Sequence, residues 1–570
     1  MSEIEEKLNT AIFAWLPLKE GNRALCINIP KTIEAYFNLK KVKSTFVSNI
    51  DGISSQYDYI FAFDVLERAK KPDEYLKQMM SLLKSDGAMY LGTDNRLGLR
   101  YFCGDIEPGT QTAFSAIEDY NGIDTTRELK VRLYAKNEIE NFLNNAGCSN
   151  RKIYSVLPNL KAAQLIYAEE YLPHERLATR YMPMYREPSA VFIREEWIYD
   201  SIIANGMFHQ MANSYLIEIR QTEECSQVLH VTLSADRGDE SACATMILTD
   251  RVEKHALFPA GEKRLDSIKT NDDDLRDHGV HVVDGRMESG VYIMPRINAV
   301  ILERYLQSLL LDDKDKFLEV FDRYRDVIYH SSEIVDEDER GPILRRCYLD
   351  LVPLNCFYIN DEFLFYDQEF FLENEAANLI LWRALIIVYD FNPTMNAVFP
   401  IAEMMDRYGI TPYAKEYEQI SGDFFRRIRN QEELAGFNSE NLRDVYKVAE
   451  NRRKIEENTS TSIWKIKKEK WKETCFDELE NKEIFVWGSG RYADKFVSMY
   501  RYDYQIAGII DNNAEKQGTE FYGYQILPPD ILCGREPNKY KVIVCIKNCE
   551  SVLRQLVQLG AENIGVYKYE

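Results

Sequence analysis

The stretch from Tyr348 to Phe370, YLDLVPLNCFYINDEFLFYDQEF, leaves the chain few ways to fold. Cys356-Phe357-Tyr358-Ile359 and Phe363-Leu364-Phe365-Tyr366 are short β-forming runs, and Asn360-Asp361-Glu362 between them is a turn, so the segment reads as a hairpin. Pro353 fixes one backbone angle of a tight loop ahead of it. That loop carries Asp350 and, five residues on, Asn355; twelve residues further, Asp367 opens an Asp-Gln-Glu triplet. Such a hairpin projects Asp350, Asn355 and Asp367 from one edge towards a common point. An Asp and an Asn beside a turn are often turn formers and nothing more. With an apolar hairpin and a terminal Asp-x-Glu, the pattern also meets the needs of phosphoryl transfer from ATP. These are a carboxylate near the attacking hydroxyl, an amide oxygen on the metal, and a second carboxylate between metal and phosphates.

The segment resembles the catalytic core of the choline-kinase and aminoglycoside-phosphotransferase group. The resemblance implies Asp350 as catalytic base, Asn355 and Asp367 as magnesium ligands, and Mg2+ with ATP as cofactors. That group usually has His two residues before the Asp; here Tyr348 stands there, an aromatic that can pack under the loop.

Upstream, Val228–Leu233, Ala242–Leu248 and Val252–Leu257 read as three strands, with Lys254 at the centre of the third. A lysine between apolar strand neighbours is commonly just a solvated strand residue. About a hundred residues before Asp350, it stands where a kinase fold meets the nucleotide phosphates. Glu262 is the candidate ion-pair partner for Lys254. Val291–Pro295 looks like the last small-lobe strand, followed by an amphipathic helix from Val300 to Leu311. Gly238 is the only glycine available for a loop over the phosphates, a gap that leaves a pseudokinase open. After Phe370 the chain turns helical over Ala376–Tyr389, Met395–Tyr408 and Tyr417–Arg429, as any helical bundle would also read.

In the first third, Ala24–Ile29, Tyr57–Phe63 and Ala88–Gly92 are strands, with a helix from Pro72 to Leu83 whose proline suits a first turn. Alternating strands and helices indicate a parallel α/β sheet. This part resembles the second half of a class I S-adenosylmethionine-dependent methyltransferase. Asp94-Asn95-Arg96-Leu97-Gly98-Leu99-Arg100-Tyr101-Phe102-Cys103-Gly104 is similar to a segment of methyltransferase-like proteins from bacterial surface-polysaccharide loci. The first strand, however, runs into Ile29-Pro30-Lys31-Thr32 with no glycine turn to admit a cofactor. Only about thirty residues separate it from Tyr57, too few for two intervening βα units. The expectation is a deleted methyl-donor pocket and no S-adenosylmethionine.

Near the C-terminus, Glu483–Trp487 enters a Gly-x-Gly-x-x-Ala turn at Gly488 and Gly490, and Ile506–Ile510 ends in Asp511, 21 residues past Gly490. The turn amides suit a phosphate and the acid suits a ribose. The segment looks like the small Rossmann-type domains of nucleotide-sugar and polysaccharide-modifying proteins. A nucleotide or nucleotide-sugar site and a purely structural domain remain equal readings.

The expected organisation is an α/β and α+β multidomain protein. It comprises a degenerate Rossmann-like methyltransferase domain over 1–220 and a protein-kinase-like domain over 221–425. A charged helical linker follows over 426–478, then a small Rossmann-like domain over 479–570. A hydrophobic fraction of 45% is that of packed domains. A net charge of −22 argues against nucleic-acid binding, which needs clustered cations. Eleven cysteines at irregular spacing, with no Cys-x-x-Cys, suit reduced thiols rather than zinc or disulfides. The N-terminus has no signal-peptide pattern and no apolar run approaches twenty residues, so a cytoplasmic protein without a membrane span is expected.

The order of domains is similar to bifunctional proteins that terminate O-antigen chains by phosphorylation and methylation, with the terminal domain as a departure. The leading expectation is an ATP-dependent phosphotransferase acting on a saccharide or polyol hydroxyl in bacterial surface-glycan biosynthesis. The alternatives are a non-catalytic scaffold in contact with glycan-assembly machinery, or an active methyltransferase.

Overall fold

The computed structural model describes residues 3–121, 129–389, 392–429, 449–451, 453 and 466–568. The chain forms two compact units, Met1–Val448 and Ala449–Glu570.

The first unit begins with four parallel strands, β1 (Arg23–Ile27), β2 (Lys43–Val47), β3 (Tyr57–Phe63) and β4 (Leu83–Asp94), side by side as β2-β1-β3-β4. Leu25, Cys26 and Ile27 are all buried, because a parallel sheet covered on both faces needs continuous apolar strands rather than alternation. The helix Pro72–Ser81 buries Leu76 and Met79. After β5 (Arg151–Leu157) and β6 (Leu165–Ala168), β7 (Ser214–Arg220) inserts antiparallel between β4 and β5. Parallel strands closed by an antiparallel one make a methyltransferase-like Rossmann fold within a mixed α/β multidomain chain. Between β1 and β3 stands one βα unit, the helix Glu34–Leu39 with β2, and not two.

The sheet does not stop there. β8 (His230–Leu233), β9 (Cys243–Ile247), β10 (Arg251–Ala256), β11 (Arg286–Glu288) and β12 (Val291–Pro295) extend it through the β6–β8 pairing to twelve strands, ordered β11-β12-β10-β9-β8-β6-β5-β7-β4-β3-β1-β2. Residues 220 and 221 therefore lie within the span of one continuous sheet. The helix Glu262–Asp277 packs on β10 and β12, burying Leu265, Ile268 and Leu275, with Asn271 and Asp272 also inside.

Beyond β13 (Val300–Ile301) the unit becomes mainly helical, with Leu302–Asp312, Lys314–Tyr329, Asn378–Tyr389 and Ala414–Ile428 around a core that includes Leu306, Phe317, Tyr324, Leu381 and Leu385. Each such side chain contributes roughly 1.5–3 kcal/mol on burial. The helix expected over Met395–Tyr408 is two, Pro393–Val398 and Ile401–Arg407, because Pro400 cannot continue the first. β14 (Ile334–Asp338), β15 (Gly341–Tyr348) and β18 (Phe371–Ala376) form one small sheet; β16 (Cys356–Ile359) and β17 (Glu362–Phe365) form the hairpin. It turns on Asn360 and Asp361 alone, at φ 52° and 65°, the left-handed pair a two-residue hairpin turn requires.

The second unit is a six-stranded sheet. β19 (Glu483–Trp487), β20 (Ile506–Ile510), β22 (Tyr524–Leu527), β23 (Tyr540–Val544) and β24 (Ile564–Val566) are parallel, and β21 (Glu520–Phe521) is antiparallel at the edge; the order is β21-β22-β20-β19-β23-β24. The charged linker helix expected over 426–478 lies largely outside the described residues. Among the described residues no helix is long and apolar enough to cross a membrane.

Candidate active site

The central position of β10, between β9 and β12, puts Lys254 inside the sheet's packing, where it is only 4% exposed. A buried ammonium must be paired. Lys254 Nζ donates to Asp367 Oδ1 and Glu369 Oε1, from the Asp-Gln-Glu triplet that follows the hairpin. Burial opposes the charge on Lys254, but the two carboxylates outweigh it and hold the ammonium above its usual range. Glu369 also receives Arg237 Nη1 at 2.8 Å. Burial would raise Glu369, yet the cations of Lys254 and Arg237 take it down to about 2.

The triplet is fixed from several sides. Asp367 adopts φ 62°, a left-handed conformation that Asp tolerates better than most residues. Gln368, fully buried, donates Nε2 to Asp350 O at 3.0 Å and to Tyr366 O at 2.7 Å. Asn271, on the helix Glu262–Asp277, donates Nδ2 to Gln368 O at 2.9 Å. The guanidinium groups of Arg237 and Arg264 both contact the Phe370 ring, at 5.8 and 4.7 Å from its centroid.

Asp350 sits behind the triplet, its Oδ2 accepting the backbone N–H of Glu369 at 3.1 Å and of Phe370 at 2.9 Å. Burial, then the charges of Glu369 and Asp367, push its carboxyl up to about 7. Asn355 ends the turn Pro353–Asn355 and donates Nδ2 to Asp350 O at 3.3 Å. Tyr348 is buried beneath this loop, its hydroxyl bonded to Asp274.

Lys254, Asn355, Asp367 and Glu369 line one cavity of about 590 Å³, with Ile247, Val252 and Met294 as apolar lining. The expected Lys254–Glu262 pair does not form. Glu262 is exposed at the start of its helix, and Asp367 and Glu369 take the ammonium instead. Glu369 and Arg237 are the residues missed; the Asp-Gln-Glu triplet was the available signal for the first.

A second cavity, about 540 Å³, opens at the carboxyl ends of β1, β3 and β4 and is lined by Asn28, Asp64, Glu67, Asp94, Arg100 and Arg186 among others. Asn28 at φ 57° makes a left-handed turn directly after β1, a conformation Asn tolerates better than most residues. Glu67 is 4% exposed; Oε1 accepts Thr93 Oγ1 and Asp94 N, while Oε2 has no hydrogen-bond partner among the described residues. Burial, then the charge of Asp64, push Glu67 up to about 8. Burial, then the charge of Asp94, push Asp64 up to about 6.

In the second unit, Gly488, Gly490 and Asp511 lie at the carboxyl ends of the adjacent strands β19 and β20. Asp511 is engaged by its own chain: Oδ1 accepts Asn513 N at 2.9 Å and Oδ2 accepts the Ser489 hydroxyl.

No protein-family model matches the chain, and no curated protein does. Solved structures similar to part of it include an S-adenosylmethionine-dependent methyltransferase from Thermotoga maritima, with a TM-score of 0.22, 9% identity and coverage of 38% of this chain and 89% of that one. One from Archaeoglobus fulgidus has a TM-score of 0.23, 14% identity and coverage of 38% and 93%. The plantazolicin methyltransferase in complex with S-adenosylhomocysteine has a TM-score of 0.22, 12% identity and coverage of 38% and 82%. The fold assignment itself rests on the strand order. The deleted methyl-donor pocket, and the exclusion of S-adenosylmethionine drawn from it, are corrected: a cavity stands at the carboxyl ends of β1, β3 and β4.

Proposed function

We propose that this protein is an ATP-dependent phosphotransferase acting on a hydroxyl group. One observation carries the reading: Lys254, Asn355, Asp367 and Glu369, from three separate stretches of chain, line one cavity, with Asp350 bonded to the backbone of the same triplet. A volume of about 590 Å³ lies within the range that holds a small-molecule ligand. Among the described residues no three His, Cys, Asp or Glu side chains are grouped to hold a metal. Magnesium bound with a nucleotide needs only one or two protein carboxylates, so Asp367 with the amide oxygen of Asn355 fits it. Bound there, MgATP supplies the γ-phosphoryl group and the cation that neutralises its oxygens. Lys254 contributes a fixed positive charge at the phosphate end. Asp350, its Oδ2 tied to two backbone N–H groups, keeps Oδ1 to receive the acceptor's proton. The likeness of residues 94–104 to surface-polysaccharide proteins makes a saccharide or polyol of glycan assembly the acceptor to try first.

The test is thermal stabilisation of the full chain by MgATP. It should appear in the wild type and vanish in Asp367→Ala; a wild type that ignores MgATP removes the proposal and favours a scaffold.

The second reading is methyl transfer, favoured by the 540 Å³ cavity and its carboxylates Asp64, Glu67 and Asp94. Calorimetric titration with S-adenosylhomocysteine addresses it directly, and the absence of saturable binding removes it.

A further inference from the structure

The loop between β8 and β9, residues 234–242, stands next to the Lys254 site, and a phosphate-binding loop there would offer backbone N–H groups. In this chain several of those groups are already spent within the protein. Arg237 N donates to Ser234 O at 3.2 Å, Gly238 N to Ile428 O at 2.8 Å, and Ser241 and Ala242 N to Gly238 O at 2.8 and 2.9 Å. The loop is also pinned from outside, since Arg429, just past the helix Ala414–Ile428, reaches Asp236 at 3.4 Å. Of the loop, Ser234 and Arg237 line the cavity, and Arg237 is its one cation there. Arg237 lines it together with Lys254, and its guanidinium is held at 2.8 Å by Glu369.

We infer that Arg237 is the phosphate ligand of this loop, replacing with a guanidinium the backbone amides that a glycine-rich turn would supply. The inference rests on the phosphotransferase reading and adds to it the residue that distinguishes a polyphosphate from a plain nucleoside. The charges suit the role. Two cations, Lys254 and Arg237, face two carboxylates, Asp367 and Glu369. Glu369 touches both cations and holds them at fixed positions. When Asp367 turns to a metal, the pair of cations is left in excess for an anion. A planar guanidinium can also bond two phosphate oxygens at once, which an ammonium cannot.

The experiment measures binding of MgATP, MgADP and adenosine to the full chain by calorimetry, for the wild type and Arg237→Met. The expected result is at least about a tenfold loss of affinity for MgATP with adenosine unchanged, as one charge-assisted hydrogen bond is worth roughly that factor. Arg237→Lys keeps a cation on Glu369, so it carries the test should the methionine variant not fold; there a severalfold loss for MgATP, again with adenosine unchanged, is expected. Equal MgATP affinity in the wild type and a folded variant overturns the inference and leaves the phosphotransferase reading intact. A wild type that binds none of the three overturns both.

Discussion

The ammonium of Lys254 closes on the carboxylate of Glu369, 115 residues further along the chain, and Arg237 shares that carboxylate from a third segment. One buried anion thus ties β10, the loop between β8 and β9, and the chain beyond the hairpin to each other.

Removing one partner of a buried pair costs more than the pair is worth, because the other charge stays inside without compensation. Lys254→Ala leaves Asp367 and Glu369 to Arg237 alone. It should lower the free energy of unfolding by about 3 kcal/mol. Glu369→Gln leaves Lys254 on Asp367 but strips Arg237 of its carboxylate, so it should cost at least as much. Urea denaturation of both variants tests this, and near-zero losses would mean the pair is not closed in solution.

Asp350→Asn retains the size of the side chain and an oxygen for the N–H groups of Glu369 and Phe370, but cannot accept a proton. Phosphoryl transfer should fall by about 10²–10⁴-fold, the usual contribution of a general base. Stabilisation by MgATP should persist. A variant that keeps its transfer rate assigns the proton to another group.

The hairpin was legible in the sequence because its two apolar runs and Asn-Asp turn are local signals, and Tyr57–Phe63 is a strand over the residues its composition indicates. β2 was not. Lys43-Ser44-Thr45-Phe46-Val47 lies at the sheet's edge with no fully buried residue, so it carries neither an apolar run nor clean alternation. The partner of Lys254 was missed for a different reason. Glu262 is the nearer acid in sequence, but an ion pair closed by tertiary packing leaves no short-range pattern. Arg237 shows the same limit, since a guanidinium standing in for glycine amides produces no motif.

Glu67 gives the fold a dependence on pH. Its carboxyl is pushed up to about 8 from an ordinary 4.5, so between these values the folded state holds a proton that the unfolded state has released. Stability therefore falls as pH rises through that window and is retained below it. Glu67→Gln mimics the protonated form and cannot ionise. Its melting temperature should change less than the wild type's between pH 5.5 and pH 8.5, roughly the window set by the two values. Parallel curves for the two proteins would show that Glu67 does not titrate there.

The two glycines after β19 look equivalent in the sequence and differ in the structure. Gly488 has φ 113°, and a Cβ there would lie 2.8 Å from Ile546 Cγ1 and 3.1 Å from Cys545 O. Gly490 has φ −104° and ψ −165°, ordinary extended backbone, and a Cβ there would meet nothing within 4 Å. Gly488→Ala combines backbone strain with overpacking and should cost about 2 kcal/mol or more. Gly490→Ala should stay within about 0.5 kcal/mol of the wild type, as an exposed change at an unstrained site does. Thermal denaturation of both variants compares them. Equal losses would mean that Gly490 is constrained by a contact other than its own backbone, and a ligand seated on that turn would then be the first candidate to examine.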